Sequence, residues 1–273
     1  MKSRKLLFII LIVFLALLFS IWMNIVCYAS CEVTINGSVI SYGYVSVSSS
    51  LNLHEEPDSN SIVLESLYDG TIVEVIGKEE NGFYYVDDTQ NGIKGYVASS
   101  YVVIPDKNNG YEIASIATCS AVPSDGRDKN MAEAARRINE NRSVLYQGET
   151  FNWFDVVGNA SIANGFYPAP VLENGVSVQG EGGGVCQVST TIYQAVSKLG
   201  IDIIERHQHT SRVSYTEPGT DATVSYDGGL NFIFQNNLDY PIYIEIETGD
   251  GRVTVRVYKV IDEQKFSKYL SKE

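Results

Sequence analysis

Cys186 stands between three glycines and an apolar-patterned segment, in Gly182-Gly183-Gly184-Val185-Cys186-Gln187-Val188-Ser189-Thr190-Thr191. Gly183 and Gly184 carry no side chain, so the backbone there can turn tightly and come close to a ligand. Val188, Ile192, Ala195, Val196 and Leu199 then fall on one helical face, and Gly200 ends it. A thiol at a helix N-terminus feels the positive end of the macrodipole, which favours the reactive thiolate. Main-chain N–H groups from Gly184 to Gln187 can hold the oxyanion formed when a thiolate attacks a carbonyl. The plainer alternative is a buried cysteine beside a close-packed loop.

A cysteine nucleophile needs a base of near-neutral pKa and a group to orient that base. Of three histidines, His54 lies in an N-terminal β-rich stretch, leaving His207 and His209 in Glu205-Arg206-His207-Gln208-His209-Thr210-Ser211. They close a strand expected over residues 201–206. That strand follows the Cys186 helix, so its end returns to the edge of the fold where the thiol sits. Alternation along an extended chain puts both imidazoles on one face. Either can be the base, with His209 favoured. Asp221 opens a strand expected over residues 221–226 and can accept the imidazole N–H. Arg206 can grip a substrate carboxylate, or be spent in a surface ion pair with Glu205 or Glu217. One cysteine and two histidines are also zinc-ligand types, but no fourth ligand is evident. Neither a metal nor another cofactor is expected.

The elements that must position this cluster occupy the second half of the chain, residues 111–260. A short amphipathic helix is expected over 131–138, and strands over 150–154, 201–206, 221–226, 231–235, 242–247 and 253–258. Helices and strands mix without regular alternation, which makes the class α+β. The preceding residues 33–104 are rich in β-branched and aromatic residues. Strands are expected there over 43–47, 50–54, 62–67, 72–78, 83–87 and 94–98, with turn signals between them. Short strands at that spacing suggest a small all-β barrel. Residues 105–110, Pro-Asp-Lys-Asn-Asn-Gly, read as a linker. Residues 261–273 read as a loose polar tail.

Met1-Lys2-Ser3-Arg4-Lys5 is basic and residues 6–23 form an uncharged run that is apolar but for Ser20. A positive start followed by such a run directs a chain to export. Residues 1–30 are therefore expected to be a signal peptide or, since the run can span a bilayer, a membrane-anchoring helix. A signal peptide would be cleaved after Ala29, lipidation of Cys31 is a third option ranked last, and the rest of the chain is expected on the extracellular face. The chain has 20 Lys+Arg against 33 Asp+Glu, a net charge of −13. Such an acidic protein has no electrostatic help in binding nucleic acid, which excludes that class of partner. Beyond the leader, where Cys27 and Cys31 lie, the cysteines are Cys119 and Cys186. A disulfide between them would silence the site, and a fold this size has core enough to do without one.

Residues 33–104 resemble a bacterial SH3-type wall-targeting domain, through Leu51-Asn52-Leu53, Pro57, Asp69-Gly70-Thr71, Val73-Glu74-Val75, Asn81-Gly82-Phe83-Tyr84, Gly95-Tyr96-Val97 and Tyr101. The second half resembles a VanW domain over residues 115–247. Its matches include Asp128-Lys129-Asn130-Met131, Gly148-Glu149-Thr150-Phe151-Asn152, the segment around Cys186, Glu205-Arg206-His207-Gln208-His209 and Pro218-Gly219-Thr220-Asp221-Ala222-Thr223-Val224. This resemblance implies a tie to peptidoglycan. Members joined to SH3-type domains look like L,D-transpeptidases with a cysteine nucleophile.

On that resemblance Cys186 would attack the stem-peptide carbonyl before a terminal D-alanine. His209 would shuttle the proton, Asp221 would orient it, and the amine of a neighbouring stem would take the acyl group. Gly183, Gly184, Gln187, Arg206 and Glu149 would contact substrate, although Glu149 can equally pin a turn. The implied partners are peptidoglycan stem peptides, the cell wall through the SH3-type domain, and the membrane through residues 6–23 if uncleaved. The alternatives are an L,D-carboxypeptidase or peptidase, and a non-catalytic wall-binding protein.

Overall fold

A computed structural model describes residues 41–77, 81–88, 91–141, 144–173 and 176–271. The expected leader helix at residues 6–23 lies outside these. Among the described residues no helix is long and apolar enough to cross a membrane.

The first region is a single antiparallel sheet. Its strands are β1 (Ser41–Val45), β2 (Ser50–His54), β3 (Val63–Tyr68), β4 (Ile72–Val75), β5 (Phe83–Asp88), β6 (Lys94–Ala98) and β7 (Val102–Val103). They run in the order β3-β2-β6-β5-β4-β1-β7. Alternating residues turn inward, so Val45, Leu53, Val73, Val86 and Val97 make a dry core. The expected barrel is not closed: β3 and β7 are the two edges of the sheet. β7 is only two residues long, and β3 leaves Val63, Leu64 and Tyr68 exposed, so neither offers the other a ladder. His54 is buried, with Nδ1 3.3 Å from the Ser61 carbonyl, and braces the loop after β2.

The second region opens with β8 (Tyr111–Ser120), which the sequence reading did not anticipate. The helix expected over 131–138 is longer, α1 (Asp125–Asn141). Its added turns are supported by Asp125 and Asp128 near the N-terminus and by Lys129–Asp125 and Arg136–Glu140 pairs at i,i+4 spacing. β9 (Thr150–Asn152) is shorter than expected. Asn152 accepts from the Phe154 N–H, 3.0 Å away, and starts the single turn α2 (Trp153–Val156). A two-stranded hairpin follows, β10 (Pro168–Glu173) and β11 (Val176–Glu181), also unanticipated.

Helix α3 (Val185–Ser197) buries Val188, Ile192, Ala195 and Val196, four of the five residues read as its apolar face. β12 (Asp202–Glu205), β13 (Ile233–Gln235), β14 (Ile242–Gly249) and β15 (Arg252–Val260) complete two three-stranded sheets, β12-β13-β9 and β14-β15-β8. Residues 221–226 are not the expected strand. They make only isolated bridges, His207 with Thr223 and Ser225 with Leu230, because side chains of α3 hold this segment instead.

The core lies where α1 and α3 cover β8, β14 and β15, filled by Met131, Ala134, Val188, Ile192, Val253 and Val255. The tail is not loose. Asp262 caps α4 (Glu263–Leu270) through the Lys265 N–H at 3.1 Å, and Phe266 packs edge-on against Tyr111 and Tyr243. The Gly110 carbonyl accepts the N–H groups of Ile261 and Asp262, which ties residues 105–110 to that helix.

Candidate active site

The loop before α3 is shaped by what its glycines touch. Gly184 has φ +109°, a conformation side chains resist, and a Cβ there would sit 3.0 Å from the Arg127 carbonyl. A Cβ on Gly183 would collide with the Pro170 carbonyl. Both glycines therefore admit neighbouring backbone rather than opening onto a ligand. Asn130, fully buried, donates to the carbonyls of Tyr167 and Gly183 and accepts from the Tyr167 N–H at 2.7 Å. Val185 and Gln187 donate their N–H groups to the carbonyls of Gly182 and Gly184, at 3.2 and 2.9 Å. Among the described residues the Cys186 N–H has no main-chain acceptor, as expected in a first helical turn.

Cys186 is intermediate in exposure as a residue. Its thiol lies 3.5 Å from the Thr223 hydroxyl and 3.4 Å from the Val224 carbonyl, and accepts from the Val224 N–H at 3.5 Å. His209 is near enough to act on its titration. Asp221 Oδ2 lies 2.6 Å from both Nδ1 and the main-chain N–H of His209. One carboxylate oxygen thus fixes the ring and its tautomer, leaving Nε2 for the thiol. The side chains of His209 and Asp221 are 15% and 6% exposed, so little water competes for their bond.

Burial alone would raise the Cys186 pKa, but hydrogen bonds and charge from His209, with Thr223 and Val224, outweigh it. The thiol titrates below its ordinary 9.0. Burial works against the charged imidazole too. Cys186 and Asp221 overcome it and hold His209 above 6.5. Asp221 stays below 3.8 despite burial because His209 donates to it from main chain and ring. These directions favour the thiolate of Cys186 and the imidazolium of His209, with a carboxylate behind them.

Two side chains of α3 hold this arrangement. Ser189 donates to the Ala222 carbonyl at 2.6 Å, and Thr190 accepts from the Ala222 N–H at 3.0 Å. Arg206 sits over the Tyr193 ring at 4.1 Å and donates to the carbonyls of Asp221 and Gly219, both at 2.6 Å. It pairs with neither Glu205 nor Glu217 in this way. Its fork fastens the loop that carries Asp221.

The remaining candidates lie elsewhere or are already engaged. His207 turns its Nε2 to Glu205, 2.9 Å away, with a side chain 37% exposed. Among the described residues no three Cys, His, Asp or Glu side chains converge as a metal site. Gln187 is fully buried, accepts from Arg127 at 2.9 Å, and donates to the Cys119 and Gly251 carbonyls. Its side chain anchors α3 to the ends of β8 and the β14–β15 turn. Glu149 accepts from the Tyr146 N–H at 2.9 Å and pins a turn. Cys119 and Cys186 are both free thiols. Asn130, Thr223 and Val224 were quoted in the sequence motifs without a role. Only their spatial position assigns one.

Residues 126–258 match the family described as VanW like protein, and residues 49–103 match the bacterial SH3 domain. The chain is thus similar to VanW-like proteins over one segment and to bacterial SH3 domains over the segment before it. Together the two families point to a cell-wall-associated protein. Uncharacterized protein YoaR of Bacillus subtilis is 39% identical over 132 residues, covering 48% of this chain and 43% of that protein. The vancomycin B-type resistance protein VanW of Enterococcus faecalis is 26% identical over 135 residues, covering 47% and 48%. The chain thus spans less than half the length of either curated relative.

Proposed function

We propose that the VanW-like domain is a peptidoglycan L,D-transpeptidase working through a cysteine thioester. The observation that carries this reading is the 2.6 Å bond between the His209 imidazole and the buried Asp221 carboxylate, beside a Cys186 thiol whose pKa His209 lowers. A poised thiolate, a proton-holding imidazole and an orienting carboxylate are the parts that acyl transfer by a cysteine requires.

Cys186 Sγ attacks the carbonyl joining the third stem residue to the terminal D-alanine, and the C–S bond forms as the carbonyl oxygen takes negative charge. The C–N bond then breaks, and His209 Nε2 gives its proton to the departing amine. The side-chain amine of a neighbouring stem attacks the thioester and loses a proton to His209. The C–S bond breaks, returning the thiolate and leaving a cross-link. The SH3 domain holds the enzyme at the wall and raises the effective concentration of stems. Residues 6–23 would carry the chain to the extracellular face. A vancomycin-resistance protein among the relatives supports a wall setting.

Mass spectrometry of disaccharide-tetrapeptides incubated with wild type and Cys186→Ala tests the reading. A dimer joined through third-residue amines, made only by the wild type, is the expected result. Loss of D-alanine without a dimer would point to an L,D-carboxypeptidase. No change with either protein, given an accessible thiol, would point to a wall-binding module.

A further inference from the structure

Tyr215 carries a hydroxyl that the fold buries with no hydrogen bond of good geometry, Thr190 being the side chain that comes nearest to partnering it. Such a group is costly, and its persistence at a polar site suggests a ligand that completes it. The neighbouring Thr190 hydroxyl is already exchanged with Ala222, donating to its carbonyl at 3.3 Å and accepting from its N–H at 3.0 Å. The Tyr215 ring meets His209 edge-on, with centroids 6.3 Å apart. The ionisable groups acting on its hydroxyl are Cys186 first, then Asp221 and Cys119. Tyr215 also lines a cleft of about 620 Å³ along residues 212–217, while its ring meets the His209 side of the site.

A thiolate that attacks a carbonyl needs donors aimed at the oxygen where charge develops. The start of α3 supplies few, because the N–H groups of Val185 and Gln187 are engaged. We propose that the Tyr215 hydroxyl is a catalytic donor to that oxygen, acting beside the Cys186 N–H; this rests on the acyl-transfer reading above. The hydroxyl donates a hydrogen bond and keeps its proton. As Sγ bonds to the carbonyl carbon, the π electrons move to oxygen, and they return when the C–N bond breaks. Burial, and after it the charge of Cys186, push the Tyr215 pKa up, so the group remains a donor at any working pH.

The test compares wild type with Tyr215→Phe in two reactions of Cys186, each mapped by peptide mass spectrometry. Acetylation by p-nitrophenyl acetate passes through an oxyanion. Alkylation by iodoacetamide displaces iodide and does not. The expected result is acetylation slowed about a hundredfold, alkylation unchanged within about twofold, and a thermal midpoint that does not fall. Unchanged acetylation, equal slowing of both reactions, or a wild type that is alkylated but never acetylated would each overturn the assignment. A wild type acetylated by the ester but inert toward disaccharide-tetrapeptide would defeat the transpeptidase reading and leave Tyr215 standing.

Discussion

Cys119 and Cys186 are both free thiols of one domain, one at the end of β8 and the other at the start of α3, and their surroundings drive them in opposite directions. Cys119 is 2% exposed, and its Sγ has Gln194 Oε1 as partner at 3.4 Å. Burial pushes its pKa above 9.0, and Thr191 and Lys198 offset this only in part. At Cys186 burial acts in the same sense, but His209, Thr223 and Val224 reverse it. The histidines repeat the lesson two residues apart: His209 faces a buried carboxylate and a thiol, while His207 faces a half-exposed Glu205. Partners decide whether a cysteine packs or reacts, and residue type does not.

The largest break in the comparison should come from the thiols themselves. Cys186→Ala is expected to lower cross-link formation by about 10⁴-fold or more, while Cys119→Ala changes it less than about twofold, measured as dimer formed per minute. Comparable losses from both would end the distinction between a reactive and a packing cysteine. Next come the histidines. His209→Ala should cost about 10³-fold and His207→Ala less than about threefold in the same assay, since His209 is the histidine that acts on the thiol and is held by Asp221, while His207 faces Glu205.

Asp221→Asn should cost about 10²-fold and also move the pH profile. In the wild type the thiolate exists above the lowered Cys186 pKa, so alkylation is lost as pH falls through that value. The imidazolium exists below the raised His209 pKa, so proton donation is lost as pH rises through it. Removing the carboxylate lowers the His209 pKa, weakens the pair and shifts the alkylation midpoint up toward 9.0. An unmoved midpoint would mean that Asp221 only shapes the loop. The smallest effect sharpens the other side of the comparison. Cys119→Ala should destabilise the fold by about 1 kcal/mol, read from the denaturation midpoint, through lost packing in a closed site. Cys186→Ala should leave that midpoint almost unchanged.

The α3 segment was legible in sequence because its periodicity, glycine stop and N-terminal cysteine all pointed to one geometry. The gathering of Cys186, His209 and Asp221 followed from chain connectivity, although the strand expected at Asp221 did not form. Ser189 and Thr190 reach across to Ala222 and take the place of a ladder, which no period-2 pattern reveals. β8 went unread because Tyr111–Ser120 alternates poorly; it is covered by α3 on one side and interleaved with small residues such as Ala117 and Ser115. β10 was hidden by Pro168 and Pro170, which edge strands tolerate. The final helix was masked by its charges. Its signal was the capping Asp262 and a lone buried Phe266, readable once the aromatic cluster with Tyr111 and Tyr243 is known. Side-chain engagement was the least legible level: Gln187 and Arg206 looked like substrate contacts and are spent on main-chain carbonyls.

The most direct test of the account is to trap the acyl-enzyme. The purified protein would be mixed with a disaccharide-tetrapeptide whose third-residue amine is blocked, quenched in acid, and weighed intact. The account predicts an adduct equal to the donor minus D-alanine, located on Cys186 and absent from Cys186→Ala. Full alkylation of Cys186 by iodoacetamide, with no such adduct at any pH between the limbs of the profile, would contradict it.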